Sequence, residues 1–411
     1  MKTAWTENPK IPQNYRNIKI STAFIFLFLF IFCPGFAQSV LKKNQPRLFT
    51  TDLELKNLYD ISSLPAYRDG SVVSQVSSWD TTGGNDDGFS GRFSFIKRNK
   101  DSSLLLFDIR GAGAINRIWT PTPTDDTLDF YIDDAPNPAL SIKYADLFSG
   151  NVFPFVAPLC GNQLGGYYCY YPILFQKSCR ITSRGKKMQF HQIQYRLYPE
   201  GSRVQSFSKK QIQQETEALS GIEKFWTKEN RNISDFLTGN TGDLLTADLQ
   251  IEIRPGEEKP LFHFHEGGRI LGIEFYRDDA QPDFNKNLDI RIRWDDDKNP
   301  AIDCPIEDFF GYAFGAPAME SLLLGAKGGL RYCYFPMPFD RKADAQLVYR
   351  KSDSTLPAIT VKAKIYYTKT KRDSAREGRF YTSWKSNTLF KQDGPHVFLN
   401  ETGQGHYVGP L

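Results

Sequence analysis

At 411 residues with 40% hydrophobic content, the chain has material for two ordinary hydrophobic cores. Lys and Arg number 51 against 47 Asp and Glu, so the net charge of +4 is close to neutral for this length. There is no basic stripe or zinc-finger spacing, which sets nucleic-acid binding aside, and no G-x-S-x-G elbow, H-E-x-x-H helix or phosphate loop occurs.

Residues 1–19 carry four Lys or Arg and one Glu, and Ala23–Phe32 is a run of ten apolar residues. A spanning helix needs roughly twenty. Cys33, Pro34 and Gly35 end the run, and Gly35-Phe36-Ala37 places small residues before Gln38. The pattern predicts a signal peptide over 1–37, a periplasmic or secreted (bacterial) location, and no membrane association after cleavage. A retained amphipathic anchor is the alternative. Phe32 is too bulky to precede a lipidated Cys33. Five Cys follow the cleavage point: Cys160, Cys169, Cys179, Cys304 and Cys333. Their odd number leaves at least one thiol unpaired, and buried free thiols are favoured over a disulfide framework.

A polar lead over 38–64 includes a helical turn at Leu53–Leu58. Ser77–Gly91 then gathers three Asp, one Asn and four Gly. Such a loop is either a solvated β-connection with residues at positive φ or a ligand loop for sugar hydroxyls or Ca²⁺, with Trp79, Asp80, Asn85 and Asp86 as its binding residues. No metal or other cofactor is assigned. Strands are expected at Leu104–Ile109, Ile115–Trp119, Arg180–Thr182 and Phe190–Tyr198. A helix is expected over Ser208–Trp226, with Ser208 and Gln211 as a capping box and Ile212, Leu219, Ile222 and Trp226 on one face. Leu245–Ile253 alternates as a strand. His263 and His265 share a strand face at a spacing compatible with a metal, but no third ligand is apparent and a surface strand is favoured.

Two stretches repeat. DFYIDDAPNPALSIKYADLFSG with GGYYCYYPILF precedes DIRIRWDDDKNPAIDCPIEDFFGYAFG with GGLRYCYFPMPF. Pro138 and Pro300, like Asp146 and Asp308, are 162 apart, whereas Cys169 and Cys333, like Pro172 and Pro336, are 164 apart. So constant an offset indicates an internal duplication. In each copy alternate apolar residues (Leu128, Phe130, Ile132; Ile290, Ile292, Trp294) define one strand face. The expected fold is all-β: two jelly-roll or β-sandwich units, 65–200 and 243–370, joined by a helical linker over 201–242 and followed by a C-terminal segment over 371–411.

Taken together, SSWDTTGGNDDG at Ser77, GAGAINRIW at Gly111, the Asp-Leu-Phe and Asp-Phe-Phe-Gly turns, CYFPMPF at Cys333 and GQGHYVG at Gly403 resemble the domain-of-unknown-function family 2961, part of which is glycoside hydrolase family 172. The resemblance implies a retaining glycoside hydrolase acting on α-D-fructofuranosides, difructose dianhydrides or D-arabinofuranosides. It also implies an oligo- or polysaccharide ligand and a homo-oligomer, trimeric or hexameric. In that family the two catalytic glutamates follow GQGHYVG, in segments reading roughly GEIKFY and GTEDYFG. One expectation is therefore a truncated form whose catalytic unit is missing. The other is that Glu274 (GIEFY) and Glu307 (IEDFFG), with Asp308 as a substrate-binding neighbour, are the catalytic pair, since glycosidases need two convergent carboxyls. A non-catalytic β-sandwich that binds carbohydrate or builds an oligomer is the alternative function.

Overall fold

The computed structural model describes residues 47–68, 70–210, 216–227, 244–276, 287–313, 316–317, 319–350, 355–385, 397 and 399–409. The segment 1–37 expected to be a signal peptide, Gln211 and Ile212 lie outside them. Alternation of apolar and polar residues produces two sandwiches of the same design. In the first, one sheet runs in the order Cys160–Gln163, Gly166–Cys169, Gly113–Thr120, Gln192–Leu197, Val72–Ser77. Its partner sheet runs Lys97–Arg98, Leu104–Arg110, Ser178–Ser183, Thr127–Ile132, Leu140–Lys143. In the second, the sheets run Leu324–Lys327, Leu330–Cys333, Gly268–Tyr276, Ile359–Thr368, Leu245–Ile253 and Glu258–Phe264, Ala343–Tyr349, Leu288–Trp294, Ile302–Pro305. The strand orders superpose one for one, except that the first unit adds Lys97–Arg98. Even the short extra strand recurs, as Ile173–Phe175 on Gly113–Thr120 and Met337–Phe339 on Gly268–Tyr276.

The duplication extends to individual atoms. After the inner strand, Asp133 and Asp295 take left-handed φ of 56° and 55°, a conformation that Asp tolerates better than most residues. The Asp133 carboxylate accepts the backbone N–H groups of Gln176 (2.8 Å), Lys177 (2.6 Å) and Ser178 (3.4 Å). Asp295 accepts those of Asp340 (3.4 Å), Arg341 (2.6 Å) and Lys342 (3.1 Å). Each carboxylate thus ties the turn after its strand to the start of the neighbouring one, and gives those N–H groups an acceptor.

Each sandwich encloses its own core. Leu128, Phe130 and Ile132 are buried in the first, and Ile290, Ile292 and Trp294 in the second. Burying such side chains contributes about 1.5–3 kcal/mol each. The helix between the units spans Thr216–Thr227. Ala218 and Ile222 join the first core while Phe225 packs on Leu271, Tyr332 and Tyr334 of the second unit. The Ser208 hydroxyl accepts the N–H of Lys210, two residues on (3.3 Å), a local turn bond, and its expected capping-box partner Gln211 lies outside the described residues. The helical turn of the lead is Thr51–Lys56, starting two residues earlier than expected, because Thr50 Oγ1 accepts the Leu53 N–H at 3.1 Å and fixes the N-cap there. Among the described residues no helix is long and apolar enough to cross a membrane.

Candidate functional site

Leu245–Ile253 and Ile359–Thr368 alternate in burial, so their polar residues line the outer face of the second unit's first sheet. Cross-strand partners share a face. The registers Asp248↔Lys364, Lys364↔Glu274 and Glu274↔Tyr332 therefore form one row across four strands. Gln250, Lys362 and Tyr276 form the next row. Glu274 itself is 5% exposed. Its carboxylate accepts phenol hydroxyls from Tyr334 (2.6 Å), Tyr366 (3.0 Å) and Tyr276. Three of its roughly four acceptor positions are filled. The three phenols have pKa values raised from the usual 10.0, first by burial and then by the adjacent Glu274 charge, so they stay protonated donors.

This face is only partly covered. Ile61 and Phe225 close the Tyr332–Tyr334 side, while Tyr276 is 39% exposed and Asp248, Gln250 and Lys362 face solvent. Lys364 Nζ lies 3.5 Å from Asp248 and over the Tyr366 ring. Phenol rings, a carboxylate, an ammonium and an amide side by side offer apolar faces together with donors and acceptors of both kinds, the chemistry that a polyhydroxylated ligand requires.

Glu307 lies elsewhere. It sits on the short helix Ile306–Phe309 and meets Arg331 through two hydrogen bonds, Nε–Oε2 at 3.1 Å and Nη2–Oε1 at 3.0 Å. Arg331 pairs with Phe275, not with Glu274, so it projects from the opposite, core-facing side of the sheet, where its side chain is fully buried. Tyr332, opposite Glu274, and Arg331, the partner of Glu307, are adjacent in their strand, and in a strand one residue changes the face, so the two glutamates engage opposite sides of the sheet. Asp308 accepts the Trp384 indole N–H at 2.8 Å, beside Arg350, whose guanidinium lies over that indole.

The Ser77–Gly91 loop belongs to the first unit. Asp80 is buried and directs its carboxylate inward, accepting Thr82 N–H (2.8 Å), Thr82 Oγ1 (2.6 Å) and Asp86 N–H (3.2 Å). These bonds, the Thr82 hydroxyl foremost, hold its pKa below the ordinary carboxylate range. Asp86 accepts the N–H and hydroxyl of Ser90. Asn85 turns the chain at φ 61°, and Trp79 and Phe89 are exposed apolar side chains of the loop. Asp80 and Asp86 therefore shape the loop, and Trp79 and Asn85 are the members of that set most presented to solvent. His263 and His265 do lie together, with ring centroids 3.9 Å apart, but His263 Nδ1 meets Asp344, and no group of three candidate metal ligands lies among the described residues. A groove of about 530 Å³ on the first unit is lined by Thr122, Thr124, Asp126, Arg184, Lys186, Lys187 and Gln189, a single carboxylate among cations.

Sequence reasoning missed the tyrosines around Glu274 and the Arg331 partner of Glu307. The signal for both was the shared strand position of the Arg331-Tyr332-Cys333-Tyr334 run, whose alternate members must face opposite ways. Compared with known families, residues 69–215 match the model described as GH172 first beta-sandwich domain, and residues 243–361 match the one described as GH172 domain-like. No curated protein matches the chain.

Proposed function

Because this chain belongs to the GH172-like family, we propose that it is an exported, glycoside hydrolase-related protein directed at furanosides, of the α-D-fructofuranoside or D-arabinofuranoside type, and that its outer sheet face around Glu274 holds the sugar. The observation that carries the proposal is the separation of the two glutamates. A retaining glycosidase holds its carboxyls about 5–5.5 Å apart and an inverting one about 6.5–9.5 Å, in both cases around a single glycosidic bond. Glu274 lies on the outer side of the sheet while Glu307 is held by Arg331 from the core-facing side, so we read the two carboxylates as not flanking a shared bond. Glu274 is then a binding carboxylate: a sugar hydroxyl takes the place of the exposed Tyr276 hydroxyl, while Tyr334 and Tyr366 keep the carboxylate oriented. The trimer or hexamer implied by the family resemblance is part of the same proposal, and the mass of the protein in solution tests it.

Calorimetric titration of the full chain with arabinofuranose and fructofuranose oligosaccharides, beside hydrolysis of aryl α-D-arabinofuranoside, tests this function. The expected result is saturable binding, weakened at least tenfold by Glu274→Gln and unchanged by Trp79→Ala, with no turnover. Turnover that both Glu274→Gln and Glu307→Gln abolish overturns the assignment.

A further inference from the structure

Cys160 and Cys169 stand on the hairpin made by Cys160–Gln163 and Gly166–Cys169 and are direct cross-strand partners. The two-residue loop, Leu164 at φ 51° and Gly165 at φ 82°, is a left-handed turn of the kind that fixes hairpin register. Counting outward, hydrogen-bonded pairs fall at Gln163/Gly166 and Gly161/Tyr168, and the Tyr170 N–H to Leu159 carbonyl bond (2.9 Å) continues the series. Cys160/Cys169 is consequently a pair of the other type, in which Cα atoms are about 4.5 Å apart and side chains are closest. That separation lies at the short end of the disulfide window, about 4.4–6.8 Å. Both thiols are buried and free, and they hydrogen-bond one another.

The remaining cysteines of the described residues have no such partner. Cys333 is opposite Leu324, Cys304 is opposite Ile290, and Cys179 lies between Ile109 and Ile132. We infer that Cys160 and Cys169 are an oxidation site that takes a small disulfide of the glutathione class and becomes a cross-strand disulfide. Deprotonated Cys160 Sγ attacks one sulfur of the small disulfide and releases one thiolate. Cys169, giving its proton to solvent, then attacks Cys160 Sγ and releases the second. The two cysteines lose two electrons, which the small disulfide takes up in becoming two thiols. Burial raises the Cys160 thiol pKa, which disfavours the thiolate once the hairpin is packed, so exchange proceeds while the hairpin is still open during folding.

Trypsin provides a direct readout, because no Lys or Arg lies between Lys143 and Lys177, and the peptide Tyr144–Lys177 contains these two cysteines and no others. The full chain is refolded from denaturant in a mixture of reduced and oxidised glutathione, its remaining thiols are alkylated, and the digest is weighed. The expected result is a Tyr144–Lys177 peptide about 2 Da lighter than its dithiol form and carrying no alkyl group, restored to two alkyl groups by prior reduction. Cys333→Ser leaves that result unchanged. Recovery of the peptide with both cysteines alkylated after refolding overturns the inference, as does a bond from either cysteine to Cys179, Cys304 or Cys333.

Discussion

At the positions where the first unit has Ala145 and Tyr167, the second has Glu307 and its partner Arg331, related by the offsets of 162 and 164 that run through the duplication. Both frames carry the same strand order and the same aspartate turn, so the backbone accommodates a neutral solution and a charged one. The outer faces diverge as well. Trp119 is opposite Tyr168 in the first unit, where Glu274 is opposite Tyr332 in the second. Arg117 donates to Gln192 beside the Trp119 indole (3.1 Å), whereas Glu274 collects three phenols. The contrast teaches that turns and inner strands define this fold, while the chemistry of each unit is written on positions that the frame leaves open.

Exchange between the units is the strongest way to break that comparison. Glu307→Ala leaves the Arg331 guanidinium buried without its carboxylate, at an expected cost of about 3–5 kcal/mol in denaturant unfolding. Adding Arg331→Tyr, the first unit's choice, should recover most of that loss. A double variant no more stable than the single one would show that the two frames are not interchangeable here. Next in size is the hairpin: closing the loop between Cys160 and Cys169 should raise the stability of the oxidised form over the reduced one by about 2–3 kcal/mol, an increment that the second unit lacks because Leu324 faces Cys333. Asp133→Asn and Asp295→Asn each weaken a set of N–H contacts while still tolerating positive φ. They should cost about 1–2 kcal/mol apiece, nearly equal if the turns are equivalent.

The smallest expected effect separates the outer faces by pH. Tyr276, Tyr334 and Tyr366 have folded pKa values above the ordinary 10.0. Stability from these phenols is therefore fully present below pH 10.0 and declines as pH rises beyond it, because the unfolded chain releases those protons first. Tyr366→Phe should flatten the alkaline limb of an unfolding-against-pH curve, and an unaltered limb would remove this group from the account.

Much of the fold was legible because β-sandwich strands alternate plainly and the duplication fixes their order twice. Leu128, Phe130 and Ile132 announce an inner face, and Ile290, Ile292 and Trp294 repeat it. The candidate site was legible only as a residue, Glu274. Its relation to Glu307 depended on which face each residue meets, and that is a matter of pairing between strands distant in sequence. The local wording GIEFY and IEDFFG carries no information about it. The Cys160/Cys169 pair lay within reach: a Leu-Gly turn midway between two cysteines nine residues apart sets them opposite.

Residues ahead of the first sandwich meet residues behind the second. Tyr67 N–H donates to the Arg376 carbonyl at 2.7 Å, and Gly378 N–H donates to the Pro65 carbonyl at 2.8 Å. Arg269 grips Glu377 in a bidentate pair from within the second unit. For a chain made from its amino end this closure imposes an order of events. The first sandwich can assemble while synthesis continues, but the stretch around Pro65 waits for more than three hundred further residues before its partners leave the ribosome. At roughly 5–20 residues per second that interval is on the order of a minute or less, during which the clasp that joins the two ends of the fold stays open.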